Sequence, residues 1–123
     1  MGIDWPVKYP RNKFNAIRAS GMGSKLEQSV HQILLLREKS GEIKDIRKQD
    51  CVDLGFKIRW KVDFSFTDCK TRKRVYCEAK GFETRDYRMY LKLWAGGQGP
   101  GKLEIWKGSY QRPFLFKIVD NHV

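Results

Sequence analysis

Two short runs decide how the chain reads: Ile58-Arg59-Trp60-Lys61-Val62-Asp63-Phe64-Ser65-Phe66 and, after a polar turn, Arg74-Val75-Tyr76-Cys77-Glu78-Ala79-Lys80. In the first, large apolar side chains at 58, 60, 62, 64 and 66 alternate with Arg59, Lys61, Asp63 and Ser65, the period of a strand with one core face and one polar face. In the second, Val75, Cys77 and Ala79 share one face and Tyr76, Glu78 and Lys80 the other. Asp68-Cys69-Lys70-Thr71-Arg72-Lys73 turns the chain between them, so the two runs form an antiparallel hairpin. Folding that hairpin brings Asp63 beside Glu78 and Lys80.

Elements on either side follow from their own signals. Ser24 caps a helix whose Leu26, Val30, Ile33 and Leu34 keep helical spacing, and Ser40-Gly41 stops it. A short strand is expected between Ile43 and Val52, with a turn at Asp53-Leu54-Gly55. Beyond the hairpin, Gly81 ends the strand and Thr84 caps a second helix, in which Tyr87, Tyr90, Leu91 and Trp94 make a core-facing stripe. Gly96-Gly97-Gln98-Gly99-Pro100-Gly101 is a loop. It follows a helix and precedes a strand, the reverse of a dinucleotide fingerprint, so no nucleotide cofactor is expected. Leu103 to Trp106 and Phe114 to Val119 read as the last two strands. The expected fold is α/β, in the order helix, three-strand antiparallel hairpin region, helix, strand, with an additional C-terminal strand.

At 123 residues the chain has room for one domain with a core, and its 41% hydrophobic and 13% aromatic content is that of a globular protein. Residues 1–23, with two prolines, three glycines and Lys8, Arg11, Lys13 and Arg18, read as a basic arm without clear periodicity; 24–123 read as the single domain. Lys and Arg number 25 against 14 Asp and Glu, a net charge of +11 that favours a polyanionic partner, nucleic acid first. No apolar run reaches the roughly 20 residues of a membrane-spanning helix, and no signal-peptide core opens the chain, so a cytoplasmic, non-membrane protein is expected. Cys51, Cys69 and Cys77 are an odd set without a C-x-x-C pair, which suggests neither a disulfide framework nor a zinc site. Two histidines, His31 and His122, do not make a His-metal centre.

Asp63 and Glu78, with the Ala79 carbonyl between Glu78 and Lys80, supply oxygen donors suited to a hard cation, and Lys80 beside them can orient or deprotonate water. Each feature also has a plainer reading. Ser24 and Glu27 make a capping box without any catalysis; Glu78 and Lys80 make an ordinary cross-strand ion pair; Lys70, Arg72 and Lys73 make a solvated turn.

Val62-Asp63 followed by Glu78-Ala79-Lys80, within that order of elements, resembles the PD-(D/E)xK nuclease superfamily, with Val62 where the motif has Pro. Ser24-Lys25-Leu26-Glu27, Val62-Asp63-Phe64 and Glu78-Ala79-Lys80-Gly81 are most similar to small phage and bacterial nucleases, including the endonuclease I type of Holliday-junction resolvase. The resemblance spans about Ser24 to Trp106. It implies a restriction-endonuclease-like core and Mg²⁺- or Mn²⁺-dependent hydrolysis of DNA, selective for branched DNA. Asp63, Glu78 and the Ala79 carbonyl would be metal ligands, Glu27 the ligand of a second metal or a support for Lys80, and Lys80 the residue that handles water. Lys13, Arg18, Lys25, Lys70, Arg72, Lys73, Arg85, Arg88 and Lys102 are the expected nucleic-acid contacts, and a homodimer the expected assembly. A nonspecific nickase or a non-catalytic DNA-binding module are the alternatives.

Overall fold

A computed structural model of the chain describes residues 24–121. The arm at 1–23, with Lys13 and Arg18, lies outside the described residues, as does His122.

Helix α1 (Lys25–Lys39) opens where Ser24 accepts the Glu27 backbone N–H at 3.1 Å, and closes at Ser40 and Gly41. Gly41 has φ +85°, a backbone state that costs glycine nothing. Three strands follow, β1 (Ile43–Asp53), β2 (Arg59–Asp68) and β3 (Arg74–Ala79), then helix α2 (Arg85–Leu93), which Thr84 caps by accepting the Tyr87 N–H at 3.1 Å. The last turn of α2 widens over Trp94–Gln98, where Gly97 leaves helical geometry at φ +111°. Two strands end the fold, β4 (Leu103–Gly108) and β5 (Pro113–Val119).

The five strands form one sheet in chain order. Neighbours are antiparallel except β3 and β4, which run parallel because α2 carries the chain back between them. The helices cover opposite faces. Leu26, Val30 and Leu34 of α1 pack on Phe64, Phe66, Val75, Cys77 and Trp106; Tyr87 and Trp94 pack with Val52, Leu54, Trp60, Val62, Leu103 and Ile105. No helix among the described residues is long and apolar enough to cross a membrane.

Three sequence expectations need correction. The strand expected to be short, from Ile43 to Val52, runs eleven residues to Asp53. Asp45 (φ +58°) and Gln49 (φ +54°) interrupt it, and the register with β2 shifts between Lys44 and Arg47, so its apolar residues never show a clean alternation. The expectation of one core face for Trp60, Val62, Phe64 and Phe66 also fails. Trp60 and Val62 lie on the α2 side and Phe64 and Phe66 on the α1 side, although equal parity in a regular strand means one face. The change of face falls at Asp63, which the register places opposite Gln49, the second of the two positive-φ residues of β1. Finally, the strand drawn to Lys80 stops at Ala79.

A candidate active site where two strands part

The backbone ladder between β2 and β3 runs through Thr67↔Arg74, Phe66↔Val75, Ser65↔Tyr76 and Phe64↔Cys77. The next pair in that register is Asp63 and Glu78, and there side chains take over from backbone. The Asp63 N–H donates to Glu78 Oε1 at 3.1 Å, and the Ala79 N–H donates to Asp63 Oδ2 at 2.9 Å. The two carboxylates thus satisfy N–H groups that the parting strands would otherwise orphan. Lys80 follows with Nζ 3.3 Å from Glu78 Oε2 and 5.3 Å from the centre of the Tyr87 ring on α2.

The α1 side closes the fork. Glu27 is buried, its Oε2 accepts from Gln49 Nε2 at 3.3 Å, and its carboxyl and the Gln49 side chain both share hydrogen bonds with Asp63. Ser24 caps α1 as the plainer reading requires, and the Glu27 side chain nevertheless points into the fork. Four elements therefore converge: α1 with Glu27, β1 with Gln49, β2 with Asp63, and β3 with Glu78 and the following Lys80.

Burial raises the pKa values of both central carboxyls. Asp63 is held above the usual carboxylate range chiefly by burial, against the pull of the Ala79 N–H and the Lys80 charge. Glu78, 4% exposed, is pushed up to about 8, first by burial and then by the negative charge of Asp63, with Lys80 pulling the other way. Two facing carboxyls with one ammonium hold more negative charge than the pocket neutralises, and a proton or a cation relieves it. The donors are all oxygen, the kind a hard divalent ion takes. As they stand, though, no three His, Cys, Asp or Glu side chains among the described residues are gathered closely enough to hold a metal ion. The nearby Cys77 is fully buried, and that burial holds its thiol well above its ordinary range.

The candidate DNA contacts fall into two groups. Lys25 begins α1 and Arg85 and Arg88 begin α2, at the end of the sheet where the fork opens; Arg88 also donates to the Glu83 carbonyl at 3.3 Å. Lys70, Arg72 and Lys73 occupy the β2–β3 turn at the opposite end, roughly 17 Å away by five strand steps of ~3.3 Å. There Lys73 and Lys102 share a cleft of about 570 Å³ with Arg74, Asp68 and Asp120.

Sequence reading missed Gln49. A polar residue between Lys48 and Asp50 carries no periodic signal, and only the broken alternation of β1 marks the spot. His31, half-buried on α1, stacks on Phe64 with ring centres 5.3 Å apart, and burial with the Lys48 charge lowers its affinity for a proton. No family model, curated protein or solved structure matches this chain, so the reading of the site rests on its own residues.

Proposed function

We propose that this chain is a metal-dependent endonuclease that hydrolyses DNA phosphodiester bonds at the fork of Asp63, Glu78 and Lys80, on a restriction-endonuclease-like core. The observation that carries this reading is the convergence itself. Two facing carboxyls, a third from another element and a lysine are drawn into one half-buried place, on a domain whose net charge is +11. Carboxyls shifted by burial and by a like charge beside a lysine are an arrangement that active sites use.

Asp63, Glu78 and the Ala79 carbonyl would hold Mg²⁺ or Mn²⁺, with Glu27 toward a second ion. When bound, the ion supplies charge to offset what develops on the phosphate and the leaving oxygen. The chain's own groups do the rest. Lys80, fixed by Glu78 on one side and the Tyr87 ring on the other, orients the attacking water. Gln49 ties Glu27 to the fork and so keeps Asp63 in place. Lys25, Arg85 and Arg88 hold phosphates flanking the cut.

Branched DNA is the preferred substrate within this reading, cut by a homodimer, since two coordinated cuts follow most simply from two-fold symmetry. The edge strand β5 supports a dimer: Phe114, Leu115, Phe116 and Ile118 are 42–50% exposed there, a long apolar edge of the kind proteins normally cover. A second reading, a DNA-binding module without catalysis, is favoured by one observation, that the carboxyls are not gathered about a single point. Cleavage of an immobile four-way junction beside a linear duplex in Mg²⁺, with light scattering on the same sample, separates the possibilities. A dimer that cuts the junction faster supports the full reading; a monomer cutting both alike leaves a general nickase; binding without cutting leaves the module.

A further inference from the structure

The fork opens at the C-terminal ends of β3 and β4, the two parallel strands. The loops leaving those ends lie against each other. The Lys80 N–H donates to the Trp106 carbonyl at 2.9 Å, and Lys107 pairs with Glu83. Each loop presents an aromatic ring to solvent. Phe82, two residues beyond Lys80, is 79% exposed, and Tyr110, in the β4–β5 turn, is 43% exposed. The Tyr110 carbonyl accepts from the Ser29 hydroxyl at 2.8 Å, which pins that turn to the first turns of α1. Between Lys80 and Phe82 stands Gly81, where even an added methyl group would meet nothing within 4 Å, so the approach to both is open.

A single exposed ring is commonplace. Here two stand on the loops that leave the fork's end of the sheet, each with a cation near it in space or in sequence: Lys25 beside Tyr110 in a shallow groove, and Arg85 three residues beyond Phe82. Neither Lys25 nor Arg85 has an ion-pair partner among the described residues. Rings alternating with free cations beside a phosphate-directed site are the surface that binds unstacked nucleotides, the rings taking bases and the cations taking backbone. A perfect duplex offers such rings no base face, whereas a single strand, a gap or a branch point does.

We propose that Phe82, with Tyr110 on the neighbouring loop, stacks on unpaired bases next to the phosphate addressed by the fork, which makes these two residues the determinants that select DNA with exposed bases. The inference rests on the nuclease reading and names its specificity element. The test measures affinity in Ca²⁺ for a single strand and for the matching duplex, each carrying 2-aminopurine, whose fluorescence falls when the base is stacked. The full-length chain should bind the single strand more tightly and quench its probe. Phe82→Ala should weaken single-strand binding about 5- to 100-fold and abolish the quench, Phe82→Leu should do the same, Phe82→Trp should restore both, and duplex binding should move little. Phe82 is exposed, so these variants keep the fold, which circular dichroism verifies. Wild-type affinity and quench in both Phe82→Ala and Tyr110→Ala would overturn the inference and leave the nuclease reading intact. A wild-type chain that binds neither DNA would overturn the nuclease reading itself.

Discussion

At one end of β3, Asp63, Glu78 and Lys80 are drawn into a buried fork whose hydrogen bonds replace the backbone ladder. At the other, Lys70, Arg72 and Lys73 stand exposed in a turn, without ion-pair partners among the described residues. Both ends are charged, and only one is chemically poised. A solvated lysine keeps its ordinary chemistry because water screens it, whereas a carboxyl taken out of water beside a second carboxyl must hold a proton or attract a cation. The turn can lend affinity for a polyanion; reactivity needs the burial found at the fork.

Substitutions at the two ends should therefore separate turnover from affinity, and this is the largest effect expected. Asp63→Asn, Glu78→Gln or Lys80→Ala should each lower turnover by about 10² to 10⁴ while DNA affinity in Ca²⁺ stays near wild type. Reversing Lys73 and Lys102 to Glu should leave turnover at saturation unchanged, weaken binding, and reduce the log-log salt slope by about 2, since each lysine that no longer neutralises a phosphate lowers it by about one. Turnover falling with the turn substitutions and holding with the fork substitutions would invert the comparison.

Glu27 and Gln49 sharpen it from within the fork. Gln at position 27 keeps the cap, which the Ser24 hydroxyl makes with the backbone, but removes a charge from the cluster. Glu27→Gln and Gln49→Ala should each cost about 10- to 100-fold in turnover, the scale of residues that orient a ligand, with stability changed by less than about 1 kcal/mol. Unchanged turnover in Glu27→Gln would leave Glu27 with a structural role alone.

Much of this was legible in the sequence because it rests on parity and caps. Ser24, Gly41 and Thr84 mark helix ends by chemistry that is local, and the two-residue period of the hairpin sets Glu78 and Lys80 on one face opposite Asp63. What could not be read is where the period is broken. Val62 and Phe64 look like neighbours on one face, yet they enter opposite cores on either side of Asp63, which lies opposite the positive-φ Gln49. Gln49 escaped notice for the same reason, because no period marks it.

A smaller effect follows from the buried carboxyls when no metal is present. In the folded chain Glu78 keeps its proton up to about pH 8, while in the unfolded chain it loses it near its ordinary 4.5. The folded state thus binds more protons between those values, so the contribution is full below the lower one and is lost as pH rises through the upper. Asp63, also raised, acts in the same direction. In EDTA the Tm of the wild type should fall relative to that of Glu78→Gln as pH goes from about 5 to about 8; parallel curves would mean that Glu78 is not held protonated. The smallest effect is expected at Tyr87, whose buried hydroxyl has no hydrogen-bond partner among the described residues and whose proton affinity burial pushes up to about 12. Tyr87→Phe removes an unsatisfied polar group and should leave stability unchanged or raise it by up to about 1 kcal/mol, measured by urea denaturation.

The central claim, that the parted strands build a metal-dependent phosphodiesterase, is tested most directly by nicking of supercoiled plasmid. Wild type and Asp63→Asn, purified side by side, are assayed in Mg²⁺, in Mn²⁺, in Ca²⁺ and in EDTA. Relaxed circles should form with wild type in Mg²⁺ or Mn²⁺, not in Ca²⁺ or EDTA, and be lost with Asp63→Asn. Plasmid left supercoiled by wild type in Mg²⁺ and in Mn²⁺, or nicked equally by Asp63→Asn, would contradict the claim.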